Sequence, residues 1–236
     1  MYINPLIKEP GRKKEFIFLS VFLFILCCSV YYFLFFIKFH PGKILEKALS
    51  YMEGNDEVLA IVMCEEGEGY RINFEGNVLN NGALYGKITD FDLELYCPES
   101  GKLLVKDLKD GRWKEASELG LQSLTALIHS PLTFLGACSP LFQKAKFLDN
   151  PDKTNTLISL QISPEFLEKL PLDKARNFGN ELSLNCVVSV NQETSFIDEV
   201  NLSFVDKNTH KELFNRNFSF SFRRDSPFKT IYSSKP

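Results

Sequence analysis

The sequence is poor in the residues from which catalytic and metal sites are usually built. It has three histidines, one tryptophan and six cysteines in 236 residues. No C-x-x-C pair occurs, and no histidine stands at metal-ligand spacing from another histidine or an acid, which argues against a zinc site or a thioredoxin-type redox centre. A G-x-S-x-G nucleophile elbow is absent. An excess of positive charge is absent too: 27 Lys and Arg against 30 Asp and Glu give a net charge of −3, which excludes a generally basic nucleic-acid binder. A hydrophobic content of 44% excludes a mostly disordered chain. There is no internal repeat and no low-complexity tract.

The chemistry that remains is thin. His40, His129 and His210 read as solvated surface groups. Gly136-Ala137-Cys138-Ser139-Pro140 superficially resembles a nucleophile loop, but its only candidate base, His129, has no evident orienting carboxylate. The acids of Glu65-Glu66-Gly67-Glu68 and of Asp90, Asp92 and Glu94 fall at turns or solvent faces rather than around a cation. No catalytic residue, metal ligand or cofactor follows, so the sequence does not read as an enzyme. Among the exported cysteines, Cys64 and Cys97 flank the first hairpin region and are the preferred disulfide pair, with four free, buried thiols as the alternative.

Long apolar content is concentrated at one end, where eight of the 22 phenylalanines lie between Phe16 and Phe39. Residues 16–37 run for 22 positions without a charge, enough to span a hydrocarbon core of roughly 30 Å as a helix. Lys8, Arg12, Lys13 and Lys14 precede the run and Lys38 alone follows closely, so the positive-inside rule keeps the N-terminus in the cytoplasm. A cleaved signal peptide would have a shorter apolar core and small residues before the cut. The expected organisation is a cytoplasmic stretch 1–15, a transmembrane signal anchor 16–37, an extracytoplasmic domain 38–225 and a flexible tail 226–236. The location implied is the cell membrane, single-pass.

The exported part opens with a helix, because Leu45, Ala48, Leu49 and Met52 follow helical spacing after Pro41. Val58–Met63 is ambiguous between helix and strand. From Tyr70 the period becomes two: Tyr70, Ile72, Phe74 and Val78 share a face, and Asn80-Asn81-Gly82 signals a hairpin. A partner strand spans about Ala83–Cys97, with Phe91, Leu93 and Leu95 on one face. Turns at Pro98–Gly101 and Asp110-Gly111 extend an antiparallel meander. Helical pieces follow at about Ala116–His129 and from Ser130-Pro131. Strands resume at Lys144–Leu148 and Asn155–Ser163, a short helix follows Ser163-Pro164, and Pro171–Asn180 reads as a loop. Three further strands carry Leu182, Leu184, Cys186, Val188 and Val190, then Val200, Leu202 and Phe204, then Phe214, Phe218, Phe220 and Phe222. The fold class expected is α+β: an N-terminal transmembrane helix, then a curved antiparallel β half-barrel covered by inserted short helices.

The order of these features resembles the LolA/LppX group of bacterial lipoprotein- and lipid-carrier domains over about Ile44–Phe222. The matching stretches are K-I-L-E-K-A-L, Tyr70-x-Ile72-x-Phe74-x-Gly76-x-Val78, Gly86-x-Ile88-Thr-Asp-Phe91, Leu103–Asp107, Trp113-Lys114 and Ser130-Pro131-Leu132-Thr-Phe134-Leu135. The resemblance implies an incomplete barrel around an apolar cavity that binds acyl chains without catalytic residues. It fixes no individual ligand residue.

Two functions stand side by side. In the first, an anchored extracytoplasmic module accommodates lipid acyl chains or a lipoprotein, with Phe74, Phe91, Leu93, Leu95, Leu184, Val188, Phe218 and Phe220 lining the cavity and Leu121, Leu124 and Phe134 forming the lid. In the second, the same residues make a filled core, and the chain is a non-catalytic cell-envelope adaptor that binds another envelope protein. The strand phase expected here makes Phe91→Asp an unfolding substitution.

Overall fold

A computed structural model of the chain describes residues 11–38, 40–55, 58–78, 83–98, 102–121, 124, 130–151, 153–167 and 181–223. Helix α1 (Gly11–Lys38) covers the apolar run. The expected transmembrane helix is not upheld: among the described residues no helix is long and apolar enough to cross a membrane. In place of an anchor followed by a half-barrel, the described residues form one large antiparallel sheet of 11 strands that does not close on itself.

Helix α2 (Pro41–Glu53) starts where Pro41 occupies the first turn and His40 caps it, Nδ1 accepting from the Gly42 amide at 3.1 Å. Its buried stripe contains Leu45, Ala48, Leu49 and Met52, the residues whose spacing predicts it. The strands follow as β1 (Val58–Gly67), β2 (Tyr70–Val78), β3 (Leu84–Ile88), β4 (Leu93–Cys97), β5 (Leu104–Lys106) and β6 (Trp113–Glu115). After helix α3 (Pro131–Ala137) and a 3₁₀ helix (Ser139–Lys144) come β7 (Lys146–Leu148), β8 (Asn155–Ile162), helix α4 (Pro164–Leu167), β9 (Leu182–Asn191), β10 (Ile197–Asp206) and β11 (Glu212–Arg223).

The order across the sheet is β6-β5-β4-β3-β2-β1-β11-β10-β9-β8-β7. Two meanders, β1–β6 and β7–β11, are therefore joined only where the first strand pairs with the last. Because β6 and β7 lie at opposite edges, the segment between them must cross a face of the sheet, and it carries α3 and the 3₁₀ helix. Ser130 starts α3 as its N-cap, with Oγ accepting from the Thr133 amide at 3.5 Å. Helix α2 packs against that 3₁₀ helix and reaches β7, β9 and β10. The fit is close: a Cβ on Gly42 would lie 2.2 Å from the Phe142 carbonyl oxygen.

The expected single strand 83–97 is broken. Thr89–Phe91 form a 3₁₀ turn and Asp92 takes a left-handed φ of 55°, so β3 and β4 are separate strands paired with each other. The Asn73 amide and side chain donate to the Asp90 carboxylate at 2.7 Å and 3.1 Å, which holds the turn against β2. Phe91 is consequently 63% exposed and off the buried face. Strand β7 also starts later than expected, because Ser139–Lys144 coil into the 3₁₀ helix. The expected helix 116–129 does not start where its spacing placed it: residues 116–120 form turns, closed by the Leu121 amide donating to the Ala116 carbonyl at 2.7 Å. Half of that stretch, including His129, lies outside the described residues, as do Asn80–Gly82, Pro171–Asn180, 1–10 and 226–236.

At the middle of the first meander, Gly76 and Gly86 face each other across β2 and β3. The Phe74 ring fills the space both lack, its Cζ standing 2.6 Å from a Cβ built on Gly76 and 2.4 Å from one built on Gly86. Backbone is as close: the Glu75 carbonyl oxygen would lie 2.4 Å from the Gly86 Cβ. Gly86→Ala should therefore destabilise the domain by about 1–3 kcal/mol through overpacking. The exposed Phe91→Asp should stay within about 0.5 kcal/mol of the native chain. Thermal unfolding of the two variants checks both; equal melting shifts would show that the glycine pair is not a tight contact.

Candidate functional site

Cross-strand registers arrange the inner face of the sheet in rows. One row runs Ile158, Val188, Val200, Phe218, Met63, Phe74, Ile88 and Leu93 from β8 to β4. The next runs Phe220, Ile61, Gly76, Gly86, Leu95 and Val105 from β11 to β5. Phe74, Leu95, Leu184, Val188, Phe218 and Phe220 of the sequence-derived set are buried on this face, and Phe134 of α3 is buried in the same core. Leu93, Leu121 and Leu124 are half-buried and pack against it. Phe91 alone stands apart. The structure thus brings ten of the eleven candidates to one core.

The feature the sequence reading missed lies on this same face. The row Leu160, Cys186, Leu202, Arg216, Glu65 and Ile72 contains two opposite charges directly across the β11–β1 pairing. Glu65 is 0% and Arg216 2% exposed. Arg216 donates to Glu65 Oε2 from Nε at 2.8 Å and from Nη2 at 2.5 Å. The Tyr70 hydroxyl donates to Glu65 Oε1 at 2.9 Å. Burial and the adjacent Glu65 carboxylate push the Tyr70 hydroxyl well above its ordinary range, so it remains a donor at neutral pH. Leu202 and Ile72 bracket the pair across the strands, and Phe214, Phe218 and Met63 bracket it along them.

The acidic run Glu65-Glu66-Gly67-Glu68 reads as a turn or solvent face, and the burial of Glu65 departs from that expectation. Alternation supplied the missing signal: in Phe214-Asn-Arg216-Asn-Phe218-Ser-Phe220 the arginine shares the phenylalanine face.

The other candidate groups do not assemble. Among the described residues no group of His, Cys, Asp and Glu could hold a metal ion. Cys64 and Cys97 are free, and β2 and β3 separate their strands. Three strand spacings amount to about 14 Å, beyond the roughly 4.4–6.8 Å Cα separation of a disulfide. Burial pushes the Cys138 thiol up to about 12 and holds that of Cys186 well above its ordinary value, the neighbouring Cys138 adding to the rise. Neither presents a reactive thiolate at neutral pH. Both should resist a water-soluble thiol reagent in the folded chain and react on unfolding; rapid native labelling of either would contradict their burial.

The architecture is that of a scaffold with helices on one face of an open antiparallel sheet. No family model matches the chain, and no curated protein matches it. Solved structures that resemble it include the Pseudomonas aeruginosa MucA/MucB complex, 12% identical with a TM-score of 0.40, the match covering 83% of this chain and 61% of that one. MucB alone is 10% identical with a TM-score of 0.38, covering 83% and 62%. A LolA superfamily protein from Nitrosomonas europaea is 13% identical with a TM-score of 0.37, covering 83% and 98%. The chain spans about three-fifths of the length of the MucB structures. The neighbours thus include a member of the superfamily that the sequence resembles.

The buried pair makes a direct stability test. Arg216→Met takes the guanidinium away from the buried Glu65 carboxylate and should cost on the order of 3–5 kcal/mol. Glu65→Leu/Arg216→Met removes both charges and should be at least as stable as the native chain, measured by urea unfolding. A double variant as weak as the single one would mean the pair stabilises the fold outright.

Proposed function

We propose that the chain is a non-catalytic, extracytoplasmic binding module that takes the apolar part of a guest, lipid acyl chains or the lipid moiety of a lipoprotein, between its sheet and its helical cover. The observation that carries this reading is the inner face itself. It is an apolar surface from β8 to β5, interrupted by the Glu65–Arg216 pair, and the helices packed on it are short. Helix α2 has 13 residues and α3 has seven, so the cover consists of small pieces carried by connecting chain rather than by strands. In the described conformation its side chains are buried beneath the cover. A guest therefore enters by displacing cover residues, and apolar area withdrawn from water drives the exchange at about 25 cal/mol per Å².

A face buried beneath its cover also suits a second reading, an adaptor that binds another envelope protein. The surface suited to that role is the edge strand β7, where Phe147 and Leu148 are exposed and only β8 is paired.

The first reading predicts that the full chain, expressed and purified without added lipid, carries acyl lipid at about one molecule per chain in native mass spectrometry. Gly42→Ala, which forces α2 away from Phe142, should accelerate its exchange for added lipid. A chain that is empty and indifferent to lipid would sink this reading and leave the adaptor.

A further inference from the structure

The cover of the sheet is fastened at one point by a titratable side chain. His40 caps α2, its Nδ1 accepting from the Gly42 amide at 3.1 Å, while its carbonyl accepts from the Lys43 and Ile44 amides at 2.9 and 3.2 Å. Gly42 is also where α2 meets the 3₁₀ helix. A Cβ built there would lie 2.2 Å from the Phe142 carbonyl oxygen and 3.1 Å from His40 Nδ1. The residue that donates the cap bond is therefore the one pressed against the neighbouring piece of cover, and Pro41, Gly42 and Phe142 are all buried at that contact.

We propose that His40 is a pH-operated latch on this cover. Neutral, it holds the first turn of α2 against the 3₁₀ helix; protonated, it releases that turn while the sheet stays folded. The latch belongs to the cover alone and stands whether or not a guest enters the inner face.

The switch follows from the chemistry of the acceptor. A ring nitrogen accepts a hydrogen bond only while it carries no proton, so the bond from Gly42 requires the neutral imidazole with its proton on Nε2. A proton on Nδ1 turns that acceptor into a donor facing the Gly42 N–H. It also places a positive charge at the N-terminus of a 13-residue helix, the end where cations are destabilising. The capped form is thus the neutral form. Its contribution is present above the range of about pH 8 to 5 in which histidine side chains titrate, and is lost as the pH falls through it.

The surroundings supply no compensating counter-charge among the described residues. On α2, Lys43 bridges Glu46 at 2.6 Å, Lys47 lies about two turns on, and Glu53 is at the far end. Of the elements packed against α2, α3 has no charged side chain, the 3₁₀ helix and β7 bring Lys144 and Lys146, and β9 brings only the thiol of Cys186. The acids of β10 are engaged or exposed. Asp198 is bonded to Asn155, Asp206 accepts from the Asn208 and Thr209 amides at 2.8 and 2.7 Å, and Glu199 is exposed.

The test is hydrogen exchange with mass spectrometry on the full chain in a non-ionic maltoside detergent at pH 7.5 and 5.0, with rates converted to protection factors. In the native chain, protection over residues 43–49 should fall about fivefold between the two pH values, which is what an N-cap is typically worth. Protection over β9 should stay unchanged. His40→Asn, whose side-chain oxygen caps without titrating, should hold its α2 protection within about twofold. His40→Ala should start about fivefold lower and not respond to pH. Unchanged α2 protection in the native chain at pH 5.0 overturns the latch. A fall of native size in either variant overturns it as well, by assigning the effect to another group. A parallel loss in β9 does the same, since that is acid unfolding of the whole domain rather than release of its cover.

Discussion

The pairing of β1 with β11 is the interaction on which the rest of the molecule depends. It joins strands more than 140 residues apart, and without it the two meanders are separate ribbons, each with an apolar face open to water. Ten residues of β1 pair with ten of β11, which places Ile61, Met63, Phe218 and Phe220 in adjacent rows and makes the inner face continuous. The cover is a corollary. A chain that finishes its first meander at one edge and starts its second at the other must travel across the sheet, and the apolar face is where helices carrying Leu132, Phe134, Leu135 and Phe142 can bury them.

The buried ion pair sits within that joint. Its fork geometry and the Tyr70 hydroxyl satisfy much of the hydrogen-bonding capacity of the two charges, yet such a pair is seldom more stabilising than well-packed apolar side chains. Its physical contribution is register. A slip of β11 by one residue against β1 would put Arg216 on the outer face, away from the buried Glu65. The apolar rows tolerate exchange of one hydrophobe for another, whereas this row tolerates only one alignment.

Much of the strand pattern was legible from the sequence because period-two alternation survives translation into a half-buried sheet. Leu184, Val188, Phe218 and Phe220 stand where alternation places them, and the stripe of Leu45, Ala48, Leu49 and Met52 is the buried stripe of α2. Three features were illegible for definite reasons. Phe91 continues the alternation of Leu93 and Leu95 in sequence, but the left-handed Asp92 breaks the phase, and no glycine or proline marks the break. The Gly76–Gly86 contact depends on a register between two strands, which one strand's pattern does not contain. Glu65 has the composition of a turn, and only its partner 151 positions later explains its burial. The apolar run in α1 illustrates the opposite case, in which length and hydropathy suggested a membrane span and the described helix provides no such candidate.

The placement of β11 at the end of the folded core also sets an order of events during synthesis. At ribosomal rates of about 5–20 residues per second, about eight to thirty seconds separate the emergence of Glu65 from that of Arg216, 151 positions later. During that interval the first meander exists with one long edge unpaired and its carboxylate without a counter-charge, so it has every reason to remain loose. The cover segments leave the ribosome before the second half of the face they cover. The molecule is thus completed from its last strand inward, and a nascent chain arrested before β11 presents an apolar, edge-exposed ribbon of the kind that chaperones hold and proteases clear.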